Sequence, residues 1–81
     1  MKLKYTYDPF FNTLKKKNIS TYKLFFKLGL NSTTYYRIKA GDSITMETLR
    51  HICEILECTV TDVVECVPVE EELQKQPTLQ N

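Results

Sequence analysis

Residues 20–41, STYKLFFKLGLNSTTYYRIKAG, read as two short helices joined by a glycine turn. Leu24 and Leu28 lie four residues apart on the first helix, and Tyr35 and Ile38 three apart on the second, so each helix has one apolar side. Leu28, Gly29, Leu30 and Asn31 connect them. Gly29 stands where a tight turn needs a positive φ, and Asn31 is a good N-cap for the helix that follows. That second helix opens with Ser32, Thr33 and Thr34 and continues with Tyr36 and Arg37. It therefore carries short donors and one guanidinium on the side away from Tyr35 and Ile38. This is the layout of a helix-turn-helix, whose second helix can enter the major groove of DNA.

Working outward, the rest of the chain predicts an all-α, compact five-helix domain. Asp8 followed by Pro9 reads as an N-cap and a proline at the first helical position, so helix 1 starts there. Phe10, Phe11 and Leu14 give helix 1 an apolar side, and Lys15, Lys16 and Lys17 place cations at its C-terminal dipole. Ser20 caps helix 2, which runs to about residue 28, and helix 3 runs to about residue 39 before Ala40, Gly41 and Asp42 break it. Thr45 caps helix 4, where Met46, Leu49, Ile52, Cys53 and Leu56 fall on one stripe. Thr59 with Asp62 three residues on resembles a capping box opening a short helix 5, with Val60, Val63, Val64 and Val67 as its buried side. The same valine-rich stretch is also compatible with a strand.

The termini extend that frame. Leu3, Tyr5 and Tyr7 alternate with polar residues, the period of a short strand, and the β-prone partner is the segment around Val64 to Val69. The pairing would form within one chain or across a dimer. The expected organisation is an arm or short strand over residues 1–8, a helical domain over 9–68, and an acidic polar tail over 69–81.

Composition bounds what such a chain does. Eighty-one residues make one small domain with a modest core. There is no apolar run of membrane-spanning length, and MKLKYTYDPFF lacks the apolar centre of a secretory signal, so the expected location is cytoplasmic. Three cysteines without a CxxC pair argue against a disulfide framework and fit a reducing compartment. The net charge of +1 hides a dipole: residues 1–51 carry ten bases and three acids, residues 52–81 one base and seven acids. One face of the domain is thus expected to meet a polyanion.

The segments LKKKNIS, TYKLFFKLGLNSTTYYRIKAG and TMETLRHICEILECTVTDVVE resemble the Cro/C1-type (xenobiotic-response-element) helix-turn-helix family over about residues 9–68. Among its members the small stand-alone bacterial regulators are the most similar. The resemblance implies a lambda-repressor-like fold and sequence-specific binding of double-stranded DNA by a transcriptional regulator. It implies phosphate contacts at Ser20 and Thr21, base contacts at Ser32, Thr33 and Arg37, and a second phosphate contact in the loop from Lys39 to Ser43. The chain departs from the family at the fifth position of helix 2, often a small residue, which here is Phe25. Either Phe25 turns outward toward helix 1 or helices 2 and 3 approach less closely than usual.

The residues themselves leave several roles open. Arg37 lies one turn into helix 3, where a guanidinium reads guanine O6 and N7; phosphate contact or an internal ion pair are the alternatives. Ser32 and Thr33 read bases or support the helix start. Tyr36 packs on a thymine methyl or a sugar edge, or lies across the domain surface. Lys16, Lys27 and Lys39 neutralise phosphates or simply solvate the surface, and Tyr22 is a further phosphate candidate. A domain this small gains useful specificity as a homodimer on a palindrome, with Val60, Val63 and Val67 as the expected contact. His51 and Cys53 diverge on one helix, so no metal site is expected, and Cys66 has no basic neighbour to activate it. No constellation supports catalysis, a cofactor or a small-molecule ligand. The alternative is a protein-interaction module, such as an antitoxin-like subunit whose acidic segment Glu65 to Leu79 folds onto a partner.

Overall fold

A computed structural model describes residues 1–69 of the chain. In order they form strand β1 (Leu3–Thr6), helices α1 (Asp8–Lys16), α2 (Lys23–Lys27), α3 (Ser32–Ala40) and α4 (Met46–Leu56), a 3-10 turn (Val60–Asp62) and strand β2 (Glu65–Pro68). The domain is therefore four helices with a two-stranded antiparallel sheet, and the expectation of five helices is corrected. The valines after Thr59 are the reason. β-Branched side chains lose χ1 freedom in a helix, and the 3-10 turn stops after three residues with Val63 at its C-cap. The chain then extends into β2, which pairs with β1 in the register Leu3↔Pro68, Lys4↔Val67, Tyr5↔Cys66 and Thr6↔Glu65. The terminal pairing thus forms within one chain. Val69 prolongs it by donating to the Lys2 carbonyl at 3.1 Å. The remainder of the expected acidic tail, and most of the Glu65 to Leu79 segment, lies outside the described residues.

Tyr7, Phe10, Leu14, Leu24, Leu30, Tyr35, Ile38, Leu49, Ile52, Leu56 and Val63 form one buried cluster. Each fully buried aliphatic or aromatic side chain contributes about 1.5–3 kcal/mol. Met46, the first residue of α4, projects into solvent rather than joining its stripe. The buried Thr13 hydroxyl donates to the Asp62 carbonyl at 2.8 Å, tying α1 to the 3-10 turn. There the Asp62 carboxylate accepts from the Thr59 N–H at 3.3 Å, as a capping box requires.

Three helices end alike. Asn18, Gly41 and Glu57 take φ of 57°, 84° and 54°. At each end one N–H reaches back three residues and the next reaches back five, a Schellman motif. The start of α1 differs from expectation by one residue: Asp8 is already helical, Tyr7 holds the cap position without a side-chain cap, and Thr6 Oγ1 accepts from the Asp8 N–H at 3.2 Å.

α2 is wound more widely than an α-helix. Its closing N–H, from Leu28, reaches the Lys23 carbonyl five residues back at 2.9 Å, and the Leu30 N–H reaches the Leu24 carbonyl at 3.0 Å. A π turn places residues five apart, rather than four, above one another. Leu24 is accordingly fully buried while Leu28 is only half-buried, and Leu30 takes the second core position.

Candidate nucleic-acid interface

The outer side of the α2–α3 unit is built from local signals. Ser20 Oγ accepts from the Lys23 N–H at 3.1 Å and starts α2. Gly29, at φ 81°, turns the chain, and the Asn31 side chain accepts from the Thr33 N–H at 2.7 Å to start α3. Tyr35 and Ile38 then anchor α3 in the core, leaving Ser32, Thr33, Tyr36, Arg37 and Lys39 exposed. Tyr36 is 58 % exposed and meets Tyr35 edge-on with centroids 5.2 Å apart.

Phe25 lies in the contact between the two helices. Its half-buried ring meets Tyr35 edge-on at 5.3 Å and approaches Tyr36 at 6.4 Å, while Tyr35 also faces Phe11 of α1 at 6.1 Å. The ring therefore remains against α3, within a helix wound as a π turn, instead of turning away to α1. The neighbouring Phe26 is thrown outward, 73 % exposed, and meets exposed Tyr22 at a tilt with centroids 4.9 Å apart. That aromatic pair, flanked by Lys23 and Lys27, was not foreseen. The doublet Phe25-Phe26 was its signal, because adjacent residues on one helix point apart.

Arg37 does not extend freely. One guanidinium nitrogen donates to the Ser43 carbonyl at 3.1 Å, bridging α3 to the loop that follows it. A guanidinium has five N–H donors, so this bond leaves others for a ligand. Asn31, Thr33, Thr34, Arg37, Ile44, Thr45 and Thr48 border one hollow of about 300 Å³ between α3 and the start of α4. Thr34 and Thr48 were not among the expected site residues.

The other expected residues separate into two groups. Ser20, Thr21, Tyr22 and Lys27 are exposed on and around α2, and Lys39 and Ser43 are exposed at the end of α3 and in its loop. Lys16 sits elsewhere, sharing a hollow with Lys17, Glu57 and Asp62. Arg50 is spent internally: it pairs with Glu47 and, at 3.0 Å, with Glu54, raising its own pKa and lowering that of Glu47 through the shared hydrogen bond and charge.

The expected dimer residues also need correction. Val63 is 0 % exposed, enclosed in the chain's own core, and offers nothing to a partner; Val60 is exposed and Val67 half-buried. Burial pushes the Cys58 thiol up to about 11, the reverse of a reactive cysteine. Among the described residues no group of three or more His, Cys, Asp or Glu is placed to hold a metal ion, and no helix is long and apolar enough to cross a membrane.

Set beside known proteins, residues 12–69 match the family model of the Cro/C1-type HTH DNA-binding domain, and the chain belongs to that family. A solved structure with a similar fold is that of the transcriptional regulator VanUg, at 20 % sequence identity and a TM-score of 0.71, covering 85 % of this chain and 92 % of that one. No curated protein matches the chain.

Proposed function

We propose that this chain binds double-stranded DNA sequence-specifically, through α3 in the major groove, and regulates transcription in the cytoplasm as a repressor. The observation that carries the reading is the division of α3: Tyr35 and Ile38 are locked in the core, and Ser32, Thr33, Tyr36 and Arg37 are presented outward on a capped helix. Short donors and a guanidinium on a rigid helix are what base-edge readout needs. Ser20, Thr21 and Tyr22 at the start of α2, with Lys27, Lys39 and Ser43, supply the phosphate contacts. The role is binding rather than catalysis.

A single domain covers little DNA, so the working unit is a homodimer on a palindrome with half-sites about 34–36 Å apart. Val60 and Val67 remain its contact residues. Sedimentation at micromolar concentration that shows only monomer, with and without DNA, would contradict the dimer. Selection from a random duplex pool at about 150 mM salt, near physiological screening, tests the whole reading. An enriched palindrome is expected; salt-sensitive retention without enrichment would reduce the protein to a basic surface without readout.

A further inference from the structure

The segment Gly41–Ser43, between α3 and α4, has each of its three carbonyls addressed by a side chain. The Tyr7 hydroxyl donates to the Asp42 carbonyl at 2.6 Å, Arg37 donates to the Ser43 carbonyl at 3.1 Å, and the Tyr5 hydroxyl lies 3.5 Å from the Gly41 carbonyl. Two of these side chains come from the N-terminal arm, about 35 residues away in sequence. Tyr7 is itself buried, and its ring is held edge-on by Tyr5 with centroids 5.6 Å apart. Beside the segment, Tyr5, Tyr7, Ser43, Ile44, Leu49 and Val64 line an open, largely apolar hollow of about 210 Å³. The Tyr7 and Arg37 bonds tie the loop to the arm and to α3.

The consequence for a ligand follows from peptide geometry. In a trans peptide the C=O and N–H point in opposite directions. Drawing the Asp42 carbonyl inward onto Tyr7 turns the next N–H, that of Ser43, outward. Among the described residues the Ser43 N–H has no hydrogen-bond partner. We propose that Tyr7, assisted by Tyr5, is a positioning residue for DNA: the N-terminal arm holds the Gly41–Ser43 loop in the shape in which it meets a phosphate. The inference rests on the DNA-binding function proposed above. It makes β1 part of the binding apparatus rather than a decoration of the helical domain.

The test is Tyr7→Phe in the full chain, which keeps the ring and removes only the donor. Binding to the duplex recovered by selection is followed by fluorescence anisotropy across a salt series, with Cys53→Ala as a half-buried control outside this cluster. Tyr7→Phe should weaken binding about tenfold, the equivalent of one hydrogen bond. The loss should be of the same size on a random duplex, with the slope of log K against log salt unchanged, because a neutral N–H on a phosphate carries neither base readout nor counterion release. Cys53→Ala should lower the melting temperature without moving affinity or slope. If the unaltered protein binds and Tyr7→Phe binds as well, the positioning role is wrong while the DNA reading stands. If the unaltered protein binds no duplex at any salt, both are overturned. Should Tyr7→Phe fail to fold, Tyr5→Phe decides, because its hydroxyl is exposed: about a twofold to threefold loss is expected for so long a bond, and no loss overturns the proposal.

Discussion

α3 and α4 are built by the same local rules and used in opposite ways. Each is capped by a side chain, Asn31 and Thr45, and each ends in a Schellman motif through a left-handed residue, Gly41 and Glu57. Each buries one stripe: Tyr35 and Ile38 in α3, Leu49, Ile52 and Leu56 in α4. They part on the outer side. α4 answers its own cation, Arg50, with Glu47 and Glu54, whereas α3 carries no acid and leaves its donors to solvent and to one loop carbonyl. Helix construction therefore says little about function here; the outward face of α3 and the loop it is tied to carry it.

The largest effect that sharpens this contrast is in α4. Ile52→Ala opens a cavity at a fully buried position and should cost about 2–5 kcal/mol of stability, read by urea denaturation, with DNA binding lost only as the fold is lost. Thr33→Ala, on the exposed side of α3, should leave the urea midpoint in place. Next comes Arg37→Ala, expected to weaken the selected duplex by about 1–3 kcal/mol and relax preference at one base pair. An equal loss on random duplexes would make Arg37 a phosphate contact, and Arg50→Ala should change neither.

The two helix ends make a smaller, mirrored pair. Gly41 and Glu57 both sit at positive φ, and an added Cβ at Gly41 meets no atom within 4 Å. Gly41→Ala should therefore cost about 1 kcal/mol through backbone strain alone, and Glu57→Gly should gain a similar amount, both read as shifts in unfolding midpoint. Lys27→Ala should flatten the salt slope by about one unit if Lys27 meets a phosphate, while Lys16→Ala, beside Glu57 and Asp62, should leave it unchanged.

The smallest effect is alkaline. Burial holds the proton on Cys58 up to about 11 in the folded state, against the 9.0 of an unperturbed thiol, and likewise raises Tyr7 above 10.0. A raised folded pKa contributes stability that is complete below the unfolded value and is lost as pH climbs through the folded one. The melting temperature should thus fall between pH 9 and 11, and less so in Cys58→Ala.

What could be read from the chain was local. Asn31, Thr45 and Gly41 mark helix ends through bonds spanning a few residues, and Tyr35, Ile38, Leu49 and Ile52 mark buried faces through spacing alone. The terminal strand pairing was legible as an alternation looking for a partner. What escaped depends on contacts between distant residues or on competition between geometries. Nothing in KLFFKLGL distinguishes a π turn from an α turn, because the same Leu24 starts either face. Val63 looked like one valine among several until Thr13 and Asp62 fixed the turn that buries it. Tyr7 and Asp42 are separated by 35 positions, and neither residue type announces the bond. Within the site, the side chains of α3 were legible because a helix displays them in order. The loop that completes the site was not, since its shape is set from the other end of the chain.

The most direct test of the division between α3 and α4 is an NMR titration of the ¹⁵N-labelled protein with the selected duplex. Amide shifts should concentrate at residues 20–22, around Lys27, and from Asn31 to Ser43, with α4 after its first turn and the 3-10 turn unmoved. Shifts centred on α4 and Val60, with α3 unmoved, would contradict the account.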